Sequence, residues 1–219
     1  MTRDWRKELR AKLADLPHPI IMDVGSGGAP LPIAHIIVDL YPEDPGPHRN
    51  TGTCVGYPGQ LFVMADVEDL PFDDGSVDFI WCCCLLEHVN DPIKALAEMC
   101  RVSKQGALLI PTVELEGLVQ MNKAGAQSNG HHWLCRTQPS HVLEFMRCDT
   151  SNKVEVRTLL QRLGAWPIVR ARLFEAAIFM GWGWNGWPDT VEAHIVEPTD
   201  ENIDKWLTCY QMGPDECPS

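Results

Sequence analysis

The chain has 219 residues and a mass of 24.5 kDa, with 45% hydrophobic and 22% charged residues, which predicts one globular domain with a hydrophobic core. Its 18 Lys and Arg residues against 30 Asp and Glu residues give a formal net charge of -12. This charge argues against a nucleic-acid partner, because a polyanion would approach against electrostatic repulsion.

Neither a membrane span nor a secretion signal is expected. No apolar run reaches the roughly 18 residues that a span requires, and the first residues contain no apolar signal stretch. We therefore expect a cytoplasmic protein with no membrane partner. The nine cysteines include no CxxC pair and are interpreted as reduced thiols. Cys82, Cys83 and Cys84 are consecutive on a predicted strand, where neighbouring side chains point to opposite faces, so we interpret them as small buried hydrophobic residues rather than metal ligands.

The first predicted element is an amphipathic helix over residues 4–16, which ends before Pro17. Short apolar runs follow at residues 19–24, 35–38, 61–65, 77–83 and 107–110. Because these runs lack polar alternation, they predict strands buried on both faces, which is typical of the parallel sheet of an α/β protein. Between the fourth and fifth runs, Asp91 is the expected N-cap and Pro92 the first residue of a helix that Gly106 ends.

The second half of the chain carries weaker signals. Residues 155–164 read as a helix, and residues 173–180 and 191–196 as strands. The turn-rich connection 181–188 between those strands predicts an antiparallel hairpin at the edge of the sheet. A last helix is expected around residues 203–210, with Thr199 or Asp200 as its cap. The fold class is therefore α/β, a doubly wound and mostly parallel sheet with an antiparallel C-terminal edge hairpin.

Acidic residues and glycines stand where the first three strands end. Asp23-Val24-Gly25-Ser26-Gly27-Gly28 ends the first strand, Asp39 the second and Asp66 the third. Ligands of open α/β sheets bind outside these carboxyl ends. Glycines allow a ligand close to the backbone, one carboxylate can accept both ribose hydroxyls, and another can accept an adenine amino group. The arrangement therefore suits a nucleoside.

Four blocks carry a family resemblance. They are residues 21–27 with the glycines, residues 38–39, residues 65–72, and a last block that begins at residues 78–80 and ends with Leu-Glu-His-Val at residues 86–89. Asp91-Pro92, Glu98, Arg101-Val102 and Gly106 extend the match. In this order the blocks resemble the class I S-adenosylmethionine-dependent methyltransferases of the type-11 small-molecule group, over residues 20–117. The resemblance implies one domain over residues 1–219, with an N-terminal helix at 1–17, a cofactor-binding core at 18–117 and a substrate-side, closing segment at 118–219.

The resemblance also implies S-adenosylmethionine as cofactor and a role for each matching residue. Gly25, Ser26 and Gly27 would lie against its amino-acid part, which Asp23 would help to anchor, and Asp39 would hold the ribose. Asp66 and Val67 would hold the adenine, Cys83 would border the methionine portion, and Leu86 would lie near the cofactor or the substrate. The expected cofactor-binding residues are thus Asp23, Gly25, Ser26, Gly27, Asp39, Leu40, Asp66, Val67, Cys83 and Leu86.

One feature departs from the family pattern. Only eleven residues separate Gly27 from Asp39, and Pro30 and Pro32 lie among them, so a regular crossover helix is disfavoured. We expect a loop or a short turn, as in a subgroup with a shortened first crossover. The departure disfavours a dinucleotide more than S-adenosylmethionine, because a pyrophosphate relies on the helix N-terminus after the glycine turn, and Pro30 replaces the third glycine of GxGxxG.

Candidates for accepting a proton from the methyl acceptor are Glu114, Glu116, His131 and His132, with His88 close by if the family geometry holds. The alternatives for His131 and His132 are a structural role at a strand start or a metal site, and His88 has a structural or cofactor-adjacent alternative. No matching metal-ligand spacing is evident, so no metal is predicted. Three tryptophans at 182, 184 and 187 fit an aromatic substrate wall, hairpin packing or a dimer contact.

The function predicted from these features is methyl transfer from S-adenosylmethionine to an O, N or C nucleophile of a small molecule. The main alternative is a protein of the same fold that binds the cofactor or a partner without catalysis. A nucleotide-dependent oxidoreductase is a third possibility, since a glycine turn followed by Asp39 also suits NAD. We expect a monomer or homodimer, and residues 111–219 carry no motif that identifies the acceptor.

Overall fold

The computed structural model describes residues 17–43, 54, 56–103, 105–111, 131–137, 142–147, 179–180, 193–199 and 201–205. Several sequence predictions lie outside these residues: the helices at 4–16 and 155–164, most of the strand at 173–180, the connection at 181–188 with the three clustered tryptophans, and most of the last helix. Glu114 and Glu116 also lie outside them. Within the described part of the chain, no helix is long and apolar enough to cross a membrane.

The described residues fall into two compact units. The first contains residues 17–43, 54, 56–85, 91–103, 105–109 and 179–180, and the second contains residues 86–90, 110–111, 131–137, 142–147, 193–199 and 201–205. Their strands and helix, in chain order, are β1 (Ile21–Val24), β2 (Ile36–Asp39), β3 (Leu61–Met64), β4 (Phe79–Cys83), α1 (Pro92–Val102), β5 (Gly106–Leu109), β6 (Trp133–Thr137), β7 (Leu143–Arg147), β8 (Phe179–Met180) and β9 (Ala193–Val196).

The first unit is built on a six-stranded sheet with the order β3-β2-β1-β4-β5-β8. Strands β1 to β5 are parallel, and β8 pairs antiparallel with β5 at one edge. The chain proceeds from β1 to β2 and β3 on one side and returns to β4 and β5 on the other, which is the strand order of a doubly wound sheet. The mostly parallel α/β sheet predicted from the sequence is confirmed.

Burial explains why most of these strands read as continuous apolar runs. All residues of β1 are buried, and four of the five residues of β4 are buried. Strand β3 differs, because it lies at the sheet edge and exposes Leu61, Phe62 and Met64. The expectation of burial on both faces is therefore wrong for β3. An apolar run predicts that a strand forms, whereas the position of the strand in the sheet determines how much of the strand is buried.

Helix α1 begins as the sequence predicts. The Asp91 carboxylate accepts the N–H groups of Ile93 and Lys94, both at 3.0 Å, and Pro92 needs no such partner for its own nitrogen. The helix ends earlier than predicted, since Ser103 is its C-cap and Gly106 is already the first residue of β5. A glycine is common just after a helix, but here it sits inside a sheet, where it pairs with Ile80.

The second unit contains a three-stranded sheet with the order β6-β7-β9. Strand β7 pairs antiparallel with β6 and parallel with β9. The predicted C-terminal hairpin is thus wrong in its pairing, because β8 adds to the first sheet and β9 to the second. A turn-rich connection predicts that the chain reverses direction, but it does not determine which strands β8 and β9 pair with, because that depends on which sheet edges are available. Residues 201–205 are helical, and the Thr199 side chain accepts the Asn202 N–H, which confirms the predicted cap.

Candidate functional site

The carboxyl ends of the parallel strands form one rim of the first sheet. The pairing register places Val24 beside Val38 on β2 and beside Cys82 on β4. The next pair of strands places Asp39 beside Met64. Because Asp39 ends β2 and Asp66 follows the end of β3 by two residues, both acidic residues lie on the same rim as the glycine turn after β1.

The glycine turn is held against the end of β2. Gly25 and Gly27 have φ angles of 67° and 55°, a backbone region that glycine enters without the steric penalty of a side chain. The Gly25 N–H donates to the Val38 carbonyl at 2.8 Å, and the Gly27 N–H donates to Oδ2 of Asp39 at 2.9 Å. The turn is therefore shaped by its own glycines and fixed by a carboxylate from the next strand.

Asp39 connects three parts of the rim. Its Oδ1 atom accepts the Tyr41 N–H at 2.8 Å while Oδ2 accepts Gly27, and its carbonyl accepts the Ala65 N–H at 3.3 Å. The residue is only 7% exposed. Its carboxylate therefore holds the glycine turn and the residues after β2 in one arrangement.

Asp66 shapes the turn after β3. Its Oδ1 atom accepts the Glu68 N–H at 2.9 Å, and its carbonyl accepts the Asp69 N–H at 3.0 Å. Asp66 itself is half-buried and the following Val67 is buried. The pair thus combines a carboxylate at the rim with an apolar side chain, a combination that suits the amino edge and the face of a purine.

Asp23 lies in the middle of β1, and its side chain reaches into the connection between β1 and β2. Its Oδ2 atom accepts the Leu31 N–H at 2.6 Å, and the residue is 3% exposed. Burial raises the pKa of the Asp23 carboxyl to about 7, the Leu31 hydrogen bond opposes this shift, and the negative charge of Asp39 adds to it. Residues 25–35 consist of turns and bends, and Asp23 is one of their anchors.

Three further predicted cofactor residues lie in the first unit. Ser26 is buried, and its hydroxyl lies 3.3 Å from the thiol of Cys54. Cys83, the last residue of β4, is half-buried, and Leu40 is 38% exposed directly after β2. The six cysteines of the described residues are thiols, as predicted, although Cys84 is exposed rather than buried.

A charged network holds the loop after Asp66 to helix α1. The Arg101 guanidinium donates to the carbonyls of Leu70 and Phe72 at 2.9 and 2.7 Å and pairs with Asp74 at 2.8 Å. Glu98 accepts from both Arg101 and the Leu70 N–H, and the Arg101 hydrogen bonds hold the pKa of Glu98 below its usual value. The loop that carries the predicted adenine motif is thus fixed at its far end.

The remaining predicted residues belong to the second unit. Leu86 is 1% exposed and starts a turn that continues through Glu87 and His88. The Glu87 carbonyl accepts the N–H groups of His132 at 2.7 Å and Trp133 at 3.2 Å, which holds this turn beside the start of β6. His131 and His132 are half-buried. The described catalytic candidates His88, His131 and His132 therefore come from two chain segments that are hydrogen-bonded to each other.

Some residues of the site were not found from the sequence. Leu85 packs where a side chain at Gly25 would be, since a Cβ there would lie 2.8 Å from two of its methyl groups. Cys54 and Leu31 contact Ser26 and Asp23 through positions that no motif marks. The only usable signal was indirect, because a glycine at a crowded turn implies a close neighbour without saying which residue it is.

Comparison with known families gives a match to one domain. Residues 23–110 match the family model described as a methyltransferase domain. The matched range begins at Asp23 on β1 and ends directly after β5, so it covers the strand ends described above.

Two curated relatives are similar over part of the chain. The demethylmenaquinone methyltransferase of Renibacterium salmoninarum is 33% identical over 118 residues, which are 50% of this chain and 47% of the relative. The malonyl-[acyl-carrier protein] O-methyltransferase of Laribacter hongkongensis is 32% identical over 142 residues, which are 58% of this chain and 45% of the relative. The chain thus spans about half the length of the curated relatives it matches.

Solved structures give a more distant likeness. The structure of an S-adenosylmethionine-dependent methyltransferase from Thermotoga maritima, described as a possible histamine N-methyltransferase, is 20% identical. The superposition has a TM-score of 0.41 and covers 73% of this chain and 70% of that chain.

Proposed function

Since residues 23–110 of this chain belong to the type-11 group of the class I S-adenosylmethionine-dependent methyltransferases, we propose that the protein transfers a methyl group from S-adenosylmethionine to a nucleophilic O, N or C atom of a small molecule. The observation that carries the proposal is the placement of Asp39 and Asp66. Asp39 ends β2 and Asp66 follows β3, so both lie on one rim of the parallel sheet, beside the glycine turn after β1.

The residues at this rim fit the groups of the cofactor. The turn at Gly25, Ser26 and Gly27 would lie against the amino-acid part, and the Asp39 carboxylate would accept the ribose hydroxyls. Asp66 would accept the adenine amino group with Val67 against the ring. The remaining assignments are Asp23, which positions the turn through Leu31, and Leu40, Cys83 and Leu86, which would border the cofactor.

The turn-only connection between β1 and β2 supports this cofactor over a dinucleotide. S-adenosylmethionine has no phosphate and needs no helix N-terminus after the glycine turn, whereas a pyrophosphate does. The residues between Gly27 and β2 include Pro30, which is buried, and Leu31, which is bonded to Asp23. These contacts fix the connection without a helix.

Bound S-adenosylmethionine supplies a sulfonium-activated methyl group, which an aligned nucleophile displaces directly. The protein then contributes mainly position: holding an acceptor in line with the methyl group supplies several kcal/mol in reactions of this kind, about 7–11 kcal/mol at most. If the acceptor carries a proton, one of His88, His131, His132 or Glu116 accepts it in this proposal. The three histidines lie in the second unit and are half-buried, so each retains an accessible side.

A small-molecule acceptor is supported by two observations. The demethylmenaquinone methyltransferase of R. salmoninarum, one of the similar proteins, is named for a small-molecule substrate. The formal net charge of -12 disfavours a nucleic acid.

Cofactor binding is tested by calorimetric titration of the full chain with S-adenosylhomocysteine. We expect Asp39→Ala to weaken binding by about 10- to 150-fold, since the loss of one hydrogen bond to a charged acceptor costs about 1.5–3 kcal/mol of binding free energy. The matched control is Asp78→Ala, because the Asp78 carboxylate also accepts a backbone N–H, that of Ile20 at 2.7 Å, but at the opposite ends of β1 and β4. Equal affinity of the wild-type protein and Asp39→Ala would contradict the proposal.

Catalysis is tested separately with radiolabelled methyl donor and a panel of hydroxyl, amine and carbon acids as acceptors. Methyl incorporation that requires Asp39 supports the enzyme. Cofactor binding without turnover on any acceptor would favour the alternative of a non-catalytic binding protein on the same fold.

A further inference from the structure

A turn and a strand start bring three potential metal ligands together in the second unit. Glu87, His88 and His131 each offer one ligand atom, and these atoms all lie within 4.8 Å of one another. His88 and His131 are far apart in the sequence, but their rings lie 4.5 Å apart between centroids at an interplanar angle of 88°. We propose that Glu87, His88 and His131 bind one divalent transition-metal ion, with zinc as the expected occupant.

The backbone holds the two segments at this distance. The Glu87 carbonyl accepts the N–H groups of His132 and Trp133, and the indole N–H of Trp133 donates to the Val89 carbonyl at 2.9 Å. These bonds lie on both sides of His88, since Glu87 precedes it and Val89 follows it. The ligand set therefore rests on several hydrogen bonds rather than on a single contact between side chains.

The turn also explains how two consecutive residues can face one ion. On a strand, neighbouring side chains point to opposite faces, which is why Cys82, Cys83 and Cys84 were not expected to share a metal. Residues 86–88 form a turn, where that alternation does not apply. Glu87 and His88 can thus present their ligand atoms to the same point.

The chemistry of the set favours a transition metal. Two imidazoles and one carboxylate are a ligand combination that proteins use for zinc with a fourth position left to water or substrate. A tetrahedral ion with ligands at about 2.0–2.1 Å requires ligand atoms about 3.3 Å apart. From separations within 4.8 Å, this needs side-chain adjustments of about 1 Å.

Burial and charge also favour a cation. Glu87 is 1% exposed, and a cation beside a buried carboxylate offsets part of the free energy lost when the carboxylate leaves water. His88 and His131 are half-buried, which leaves the site accessible from one side. The net charge of -12 raises the local concentration of cations around the protein.

This site does not depend on methyl transfer. A metal bound there would, however, limit which histidine can accept a proton in the proposed reaction, because an imidazole nitrogen that binds a metal cannot take a proton. With His88 and His131 as ligands, His132 is the described histidine left for that role. Its side chain is not one of the three clustered ligands.

The test is metal binding by the full chain after chelator treatment, measured by competition with a chromophoric zinc chelator in a non-thiol reductant. We expect one zinc ion per chain and at least about tenfold weaker binding in His88→Gln, His131→Gln and Glu87→Gln, since even residues behind the ligands matter by 10- to 100-fold. The matched control is His132→Gln, an adjacent histidine outside the set, and its affinity should stay within about twofold of the wild-type value.

Cobalt substitution identifies the ligand atoms independently of these variants. Tetrahedral Co²⁺ bound by nitrogen and oxygen gives visible ligand-field bands without near-ultraviolet sulfur-to-cobalt bands. Sulfur-to-cobalt bands would overturn the proposal by assigning the ion to some of the nine cysteines. The proposal would also be overturned if the wild-type protein bound no zinc, or if His132→Gln lost as much zinc affinity as the variants of the three ligands. Because Glu87→Gln alters a buried residue and can disturb folding, the half-buried His88→Gln, checked by circular dichroism, decides the outcome alone.

Discussion

The carboxylate of Asp23 accepts the backbone N–H of Leu31 at 2.6 Å, which ties the middle of β1 to the connection that leads to β2. This contact places a buried acid at the base of the glycine turn. Burial raises the pKa of this carboxyl from 3.8 to about 7, against the opposing effect of the Leu31 hydrogen bond, and this shift makes the stability of the protein depend on pH.

The first prediction concerns stability against pH. Between pH 3.8 and about 7 the native Asp23 holds a proton that the unfolded chain has lost, so the free energy of unfolding falls as pH rises through this interval. The full effect is about 4 kcal/mol at most. Asp23→Asn keeps an oxygen for Leu31 and should remove this dependence.

Urea denaturation of the wild-type protein and Asp23→Asn at pH 4.5, 6 and 7.5 checks this difference. As pH rises, the free energy of unfolding of Asp23→Asn should increase relative to that of the wild-type protein. Parallel curves would show that Asp23 has an ordinary pKa in the folded protein.

The second prediction concerns the two glycines with nearly equal positive φ angles. Gly25 has φ 67° and Gly75 has φ 63°, but a Cβ at Gly25 would lie 2.8 Å from Leu85, whereas one at Gly75 meets nothing within 4 Å. Gly75→Ala should therefore cost only the conformational penalty, about 1 kcal/mol. Gly25→Ala should cost about 1–3 kcal/mol more through overpacking.

Thermal unfolding of both variants measures this difference, and the double variant Gly25→Ala/Leu85→Ala assigns its cause. If the contact with Leu85 is responsible, the double variant should lose less stability than the sum of the losses in Gly25→Ala and Leu85→Ala. Strict additivity would place the crowding elsewhere.

The third prediction separates the hydrogen bonds of Arg101 from its surface ion pair. The Asp74 side chain is 82% exposed, so Asp74→Ala should change the free energy of unfolding by less than about 0.5 kcal/mol. Arg101→Met also removes the pair with Glu98 and the donors to the Leu70 and Phe72 carbonyls, and it should lower the free energy of unfolding by about 2 kcal/mol. Denaturant titration of the two variants checks the ranking, and an equal loss of unfolding free energy in both would mean that the Asp74 pair accounts for the whole effect of Arg101.

The fourth prediction concerns a buried ion pair in the second unit. Arg136 Nε and Glu144 Oε2 lie 3.1 Å apart on paired strands, with side chains only 5% and 9% exposed. Arg136→Met leaves the Glu144 carboxylate buried without this guanidinium and should cost about 3–5 kcal/mol. The double variant Arg136→Met/Glu144→Leu should be much closer to the wild-type protein.

A double-mutant cycle by urea denaturation measures that coupling. The cycle also needs Glu144→Leu alone, which should be as destabilised as Arg136→Met. Single variants that are no less stable than the double variant would rule out a coupled pair.

Much of the first sheet was predictable because its signals are local. The apolar runs predicted β1 to β5, although not the exposure of β3, and the Asp91-Pro92 pair predicted the start of α1. The order of glycines and acids along the chain also placed Asp39 and Asp66 on one rim, since parallel strands share their carboxyl ends. These features depend on residues close together in the sequence or on a rule that applies to every parallel sheet.

By itself, then, the sequence determined the strands, the helix cap and the acidic strand ends, because backbone preference and burial act within a few residues. Only the tertiary structure decided that β9 joins β7, that Asp23 holds Leu31, that Leu85 occupies the space beside Gly25, and that Glu87 and His88 meet His131. Each of these contacts joins chain segments whose approach depends on how the whole chain packs. A local sequence pattern therefore cannot predict which of these distant segments come into contact.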